Sequence, residues 1–140
     1  MMPTIEQQLV LHEGEELSAY PDAKGYTTIG VGQCIDARAG GQISQAASRF
    51  MLDEKLTDIT NGLSSTYQWF AVLGAIRQKV CQDIAYNVGL HGFSGFVLMI
   101  HALAQGDYPE AAAQIRNSAI APIRRERLAT MMESGQDYSA

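Results

Sequence analysis

A short β-rich stretch between helical segments is the sequence feature that most constrains the fold of this chain. Segments 17–20 and 26–31 form β-like runs, and segment 21–25 between them contains Pro, Asp and Gly, which favour turns. This pattern predicts a β-hairpin. Apolar residues recur at helical spacing on both sides of it. The sequence therefore predicts an α+β protein with a small N-terminal β lobe and a larger, mainly helical lobe.

Helix boundaries are indicated by capping residues. Thr4 and Gln7 fit a capping box, and Gly14 is placed to end a helix over residues 4–13. Ser44 is a candidate N-cap for the next helix, 46–59, and Gly62 is a candidate end for it. Further helical segments are predicted over 69–73, 76–86, 96–104, 108–115 and 122–132, with 76–86 as the buried central helix.

Length and composition favour one domain. The chain has 140 residues, 46% of them hydrophobic, which is enough for a real core. We expect a single domain over 1–140, with a β lobe at about 14–43. The helical lobe would comprise 44–140 together with helix 4–13, and a cleft would lie between the lobes. Trp69 and Phe70 are expected in the core rather than at a ligand-binding surface.

Glu13, Asp22 and Thr28 are the candidate catalytic residues. Each one alone has an ordinary interpretation: a solvated glutamate, an Asx-turn aspartate and a strand threonine. Their spacing in the sequence, however, places one carboxyl group at a helix end, a second at a hairpin turn and a hydroxyl group on a strand. Two carboxyl groups facing each other can cut a glycosidic bond, one as a proton donor and the other acting on water or on the sugar. A hydroxyl group can fix the position of that water.

At these positions the chain resembles the phage-type lysozymes of glycoside hydrolase family 24, whose relatives include the T-even phage lysozyme and many phage endolysins. The family signature is Glu-Gly, then Asp or Cys, then Gly-x-x-Thr-Ile-Gly-x-Gly-His. Here it stands as Glu13-Gly14, Asp22 and segment 25–33. Segments 86–96, 106–113 and 122–127 resemble three later family segments in the same order. The resemblance implies a lysozyme-like fold.

The same resemblance implies a bacteriolytic peptidoglycan hydrolase, an endolysin that cuts the β-1,4 bond between N-acetylmuramic acid and N-acetylglucosamine and inverts the anomeric carbon. Glu13 would be the general acid, Asp22 would orient and activate water, and Thr28 would hold that water. No cofactor or metal is expected. The histidines lack a ligand pattern, and the segment after Asp22 lacks the alternating oxygen ligands of a calcium loop.

Substrate contacts follow from the motif positions. Gln33 stands where the family has His, so it removes a titratable partner and keeps hydrogen-bonding capacity. Cys34 and Tyr86 would offer an apolar wall beside the sugar. Asn87 and Gln114 would bond to N-acetyl or hydroxyl groups. The span between residues 32 and 43 is shorter than in the longest family members, which predicts a trimmed β lobe.

Charge and cysteine usage bear on the partners. The net charge is −5, so a binding cleft rather than a basic surface must attract the anionic cell wall. Four arginines lie late in the chain but alternate with Glu126 and apolar residues. We expect them to form one solvated helix face with one arginine in a structural pair, and we expect no nucleic-acid partner. Cys34 and Cys81 are expected to be reduced thiols.

Localisation is a further expectation. No apolar run approaches the roughly 20 residues of a membrane span, and the N-terminus lacks a basic region followed by an apolar core. We expect a monomer in the host bacterial cytoplasm without stable membrane insertion. It would reach peptidoglycan through a holin-type pore or as part of a phage particle.

Two alternatives remain at the level of the sequence. A lytic transglycosylase needs only one acidic residue, because the sugar's own hydroxyl group attacks, and the presence of Asp22 and Thr28 speaks against it. The second alternative is a wall-binding or virion module that keeps the fold without turnover. Gln33 and the acidic net charge favour that alternative, and the intact set of candidate catalytic residues opposes it.

Overall fold

The computed structural model of the protein describes residues 2–138 and confirms the α+β class. The chain forms two compact units, the first ending at Phe50 and the second beginning at Met51. Within the described residues, the elements are α1 Ile5–Glu13, β1 Glu16–Pro21, β2 Thr27–Gly30, β3 Gln33–Cys34, α2 Gln45–Thr66, α3 Ala75–Ser94, α4 Val97–Ala104, α5 Tyr108–Arg116 and α6 Pro122–Ser134, with 3-10 turns at Ala37–Ala39 and Gln68–Val72.

Helix α1 begins and ends as its sequence predicts. The Thr4 Oγ1 atom accepts a hydrogen bond from the Gln7 N–H at 3.2 Å, and Gln7 Oε1 accepts one from the Thr4 N–H at 2.9 Å. This reciprocal pair satisfies amide groups that the first helical turn cannot pair internally. At the other end the Gly14 N–H donates to the Val10 carbonyl. The helix therefore stops directly after Glu13.

The predicted hairpin is confirmed, and a third short strand completes the sheet. Strands β1, β2 and β3 lie side by side in that order, and both pairs are antiparallel. In this register Thr28 lies opposite Tyr20 on one side and Cys34 on the other. Strand β2 thus occupies the centre of the sheet and carries Thr28.

Helix α2 begins as predicted, but its predicted end is wrong. Ser44 Oγ accepts from the Ala47 N–H at 3.1 Å, which confirms the N-cap. The helix then continues through Gly62 to Thr66. A Cβ atom at Gly62 would overlap the Cδ1 atom of Leu90 on α3. The glycine is there for close packing between two helices and not for termination.

The core of the second unit is built around α3, which confirms the prediction of a buried central helix. The helix continues beyond the predicted segment and is kinked at Gly89, where φ is +79°. Phe70 is only 2% exposed, and Trp69 packs at the edge of the core. The expectation that these two aromatic residues serve packing is therefore confirmed. The buried residues of α3 are Val80, Cys81, Ile84, Ala85 and Phe93.

In this unit, Arg77 connects α3 to the end of α6. Arg77 on α3 donates to the carbonyl oxygens of Met132 and Glu133 at the end of α6, and its guanidinium group lies 3.8 Å from the centroid of the Tyr108 ring. Such donors satisfy carbonyl groups that a helix end leaves unpaired.

Among the late arginines, more than one forms an ion pair. Arg116 contacts Glu126 and Glu133, and Arg124 contacts Asp83. The expectation that one arginine forms a structural pair is therefore wrong, because Arg116 and Arg124 both do.

Both cysteines are free thiols, as predicted, and burial raises the pKa of the Cys81 thiol to about 12.

Between residues 2 and 138, no helix is by itself both long and apolar enough to cross a membrane. Helices α3 and α4 reach that length and composition only as a pair, and the bend between them is 98°.

Candidate active site

Glu13 lies against the tight turn that joins β2 to β3. A Cβ atom added to Gly32 in that turn would stand 2.8 Å from Glu13 Oε2 and 3.3 Å from its carboxyl carbon. Gly32 also has a φ of +67°, which L side chains rarely adopt. Two features therefore favour glycine at this position: the positive φ of the turn and the space that the Glu13 carboxyl group occupies.

Because of this double requirement, we expect Gly32→Ala to lower kcat strongly and the free energy of unfolding only moderately. The strained φ should cost about 1–2 kcal/mol of folding free energy. Displacing the carboxyl group by about 1 Å should lower kcat about a hundred-fold. Kinetics and thermal unfolding of the same sample give both values. Gly106→Ala is the matched control, because Gly106 has a φ of +71°, nothing lies within 4 Å of the added Cβ, and the residue lies in the second unit.

Comparable kcat values for these two glycine variants would show that contact with Glu13 does not matter. Backbone strain would then account for the whole effect of Gly32→Ala.

The two carboxylate oxygens of Asp22, in the β1–β2 turn, differ in their hydrogen bonding. Its Oδ1 atom accepts from the N–H groups of Lys24 and Tyr26, both at 2.8 Å. This is the Asx-turn geometry that an aspartate followed by a glycine turn favours. Within residues 2–138, its Oδ2 atom makes no hydrogen bond or ion pair to the protein, so one oxygen of the carboxylate remains available.

The peptide groups of Tyr26 connect Asp22 with Thr28. The Tyr26 N–H holds the Asp22 carboxylate, while the Tyr26 carbonyl accepts from the Thr28 hydroxyl group at 3.0 Å and from the Asp22 N–H at 2.8 Å. Thr28 is buried, with 4% of its surface exposed. Its hydroxyl proton is used, so its oxygen is left as an acceptor. Two of the three candidate catalytic residues are thereby fixed to the same residue.

The remaining candidates in the first unit lie on β3. Gln33 is exposed and pairs with Ile29, whereas Cys34 is half-buried and pairs with Thr28. The first unit thus places four predicted site residues on one sheet and its turns, namely Asp22, Thr28, Gln33 and Cys34. A fifth, Glu13, ends α1 and lies against one of those turns.

The candidates in the second unit do not share one cavity. Tyr86 is half-buried under the Lys55 ammonium group, 4.5 Å from its ring centroid, and lines a cavity of about 300 Å³. Gln114 lines a different cavity of about 450 Å³ and donates to Glu110. Asn87 is exposed. Their assignment to substrate binding stays a prediction.

Asp36 is a buried carboxylate of the first unit that was not predicted from the sequence. Asp36 accepts from the N–H of Thr27 and from both the N–H and the guanidinium group of Arg38, at 2.8–2.9 Å. The hydrogen bond from the Arg38 side chain, followed by those from the backbone, holds the pKa of Asp36 well below its usual range. An Asp-x-Arg pattern next to a 3-10 turn was the only available signal, and it is a weak one.

The lowered pKa of Asp36 makes stability depend on pH in a definite direction. A carboxyl group with a folded-state pKa below its unfolded value of about 3.9 stabilises the fold above that pH, and this contribution is lost as the pH falls through the folded pKa. We therefore expect Asp36→Asn to lower the melting temperature at pH 7 and the difference from wild type to narrow below about pH 4. Thermal unfolding between pH 3 and 7 measures this.

Asp137→Asn is the control for the pH series. The pKa of Asp137 is also lowered, by the hydrogen bond from Lys79, but that pair is about half exposed and contributes little to stability. A gap between wild type and Asp36→Asn that stays constant down to pH 3 would contradict the role assigned to the charged Asp36.

The α+β fold, with a three-stranded sheet and a helical unit, is that of a lysozyme-like protein. The phage lysozyme profile matches residues 10–127, so the chain belongs to the phage lysozyme family. A protein of Dictyostelium discoideum named probable T4-type lysozyme 1 is 23% identical in an alignment that covers 96% of this chain and 96% of that protein. The family and this relative support a lysozyme-type hydrolase acting on cell-wall glycan.

Proposed function

We propose that the protein is an N-acetylmuramidase, a peptidoglycan hydrolase that cuts the β-1,4 bond between N-acetylmuramic acid and N-acetylglucosamine. The observation that carries the proposal is the placement of the three catalytic candidates on and around one small sheet. Glu13 lies against the β2–β3 turn, Asp22 lies in the β1–β2 turn, and Thr28 lies on β2 between them. Membership of the phage lysozyme family supports the same substrate class.

In this mechanism Glu13 is the general acid. Its carboxyl group donates a proton to the glycosidic oxygen as the bond from that oxygen to the anomeric carbon breaks. The side chain is exposed and forms no hydrogen bond or ion pair within the part of the chain that the structure describes. The carboxyl group is therefore free to bond to the leaving oxygen.

Asp22 and Thr28 hold the attacking water. A water molecule that donates one proton to Asp22 Oδ2 and the other to Thr28 Oγ1 has a lone pair left for the anomeric carbon. As the new C–O bond forms, Asp22 takes the proton, and the configuration inverts because water attacks from the face opposite the leaving group. The existing bonds of Asp22 Oδ1 and of the Thr28 hydroxyl proton favour this division of tasks.

Sugar-binding residues are proposed for each unit separately. Gln33 and Cys34 lie on the strand next to Thr28, Tyr86 and Asn87 lie on α3, and Gln114 lies on α5. The half-buried Tyr86 ring offers an apolar surface for a pyranose face, and the amide groups offer hydrogen bonds for N-acetyl and hydroxyl groups.

Product analysis tests the reaction type. Purified peptidoglycan digested with the protein should yield reducing N-acetylmuramic acid ends, initially in the inverted configuration. Anhydro-muramic ends would indicate a lytic transglycosylase instead. Binding to the cell wall without any released product would indicate a module without turnover.

For delivery, we propose that the protein acts on the wall after the inner membrane of a bacterial host becomes permeable, through a holin-type pore or from a phage particle. Expression alone in a Gram-negative host should then leave the optical density unchanged until chloroform is added. Lysis before chloroform by the wild type, but not by Glu13→Gln, would contradict this route.

A further inference from the structure

We propose that the Asp36–Arg38 ion pair is a positioning device for the water-holding residues Asp22 and Thr28. The inference rests on the proposed function, because it names how that site is held. It concerns a pair that lies outside the family signature and touches none of the reacting groups directly.

The pair forms hydrogen bonds to the backbone on both sides of Tyr26. The Asp36 carboxylate accepts from the Thr27 N–H at 2.9 Å, and the Arg38 Nη2 atom donates to the Gly25 carbonyl at 2.9 Å. The Arg38 guanidinium group also lies 5.4 Å from the centroid of the Tyr26 ring. Residues 25, 26 and 27 are thus each in contact with the pair.

Tyr26 is the residue to which both water-holding residues are bonded. Its N–H holds Asp22 Oδ1, and its carbonyl holds the Thr28 hydroxyl group. A shift of the Tyr26 peptide groups would move both acceptors of the water at once. Rate losses of about a hundred-fold accompany displacements of about 1 Å in such geometry.

The pair is stiff because its acid is buried and its hydrogen bonds form a fork. Asp36 is only 7% exposed, and Arg38 approaches both of its oxygens through Nε and Nη2 at 2.9 and 2.8 Å. Two parallel bonds fix the orientation of the guanidinium plane, which a single contact does not do. The Ala37–Ala39 turn closes the loop, because the Arg38 N–H also donates to Asp36.

Arg38 is the better residue to vary. Its side chain is 68% exposed, so Arg38→Ala leaves no cavity, and Asp36 keeps its bonds to two backbone N–H groups. Arg38→Lys keeps the positive charge but cannot form the fork. Ser44→Ala is the matched control for stability, since it removes an N-cap bond of α2 and no hydrogen bond of this loop.

The experiment measures kcat and KM on soluble peptidoglycan fragments, together with melting temperatures and amide hydrogen exchange at Tyr26 and Thr27. We expect Arg38→Ala and Arg38→Lys to lower kcat about ten- to a hundred-fold with KM changed less than about two-fold. Exchange at both amides should accelerate in these variants and stay unchanged in Ser44→Ala, which should keep its kcat.

The outcomes separate the two proposals. If the wild type is active and the Arg38 variants keep their kcat, the positioning role alone is overturned. The same holds if Ser44→Ala lowers kcat as much as the Arg38 variants do. A wild type without hydrolytic activity counts against the proposed function, and amide exchange then still decides the positioning role. Unchanged exchange at Tyr26 and Thr27 in both Arg38 variants overturns that role.

Discussion

Glu13→Gln should abolish lysis while leaving the protein folded. The amide has nearly the same shape as the carboxyl group but has no proton to donate to the leaving oxygen. Loss of a general acid costs about 10²–10⁴-fold in rate, so lysis by the variant should fall below about one per cent of the wild-type rate. The lysis rate of permeabilised Gram-negative cells and the melting temperature should be measured on the same preparation.

The structure explains why stability should be unaffected. Between residues 2 and 138, the Glu13 carboxyl group makes no hydrogen bond or ion pair, so the substitution breaks none. Glu15→Gln is the matched control, because Glu15 is also exposed and lies two positions further along the chain. Glu13→Gln with more than a few per cent of wild-type activity and a normal melting temperature would remove Glu13 from the mechanism.

Local chemistry accounts for what could be predicted from the sequence. The capping box of Thr4 and Gln7 depends on residues three positions apart, and the hairpin turn depends on a Pro, an Asp and a Gly within five positions. Such signals act over one turn, so they locate a helix end or a hairpin without knowledge of the rest of the fold. The placement of Glu13 and Asp22 at an end and at a turn follows from them.

Contacts between distant segments account for what could not be predicted. Gly62 has the properties of a helix terminator, yet it serves to admit Leu90, which lies 28 positions later. Asp36 lies nine positions from its Thr27 partner and in a segment without strand or helix periodicity. Burial of its carboxylate becomes evident only once the loop is folded against β2. The same holds for the short strand β3, whose two residues are too few for a pattern of alternation.

Asp22 should show different losses with different substitutions, because its two oxygens have different tasks. Asp22→Asn keeps an oxygen for the N–H groups of Lys24 and Tyr26, so the turn and the melting temperature should be preserved. It loses the negative charge that takes the proton from water in the proposed mechanism, and kcat should fall about a hundred-fold or more. Asp22→Ala loses the turn bonds as well, and we expect an additional fall in melting temperature corresponding to about 1–3 kcal/mol.

Asp22→Cys is the most informative member of the series, because the resemblance to family 24 includes members with Cys at this position. A thiolate can attack the anomeric carbon itself, so the variant should keep substantial activity and release product of retained rather than inverted configuration. NMR of the newly formed anomer distinguishes the two. Near-wild-type rates for Asn, Ala and Cys alike would reduce Asp22 to a turn residue. The lytic transglycosylase alternative would then be reopened, and anhydro-muramic ends among the products would identify it.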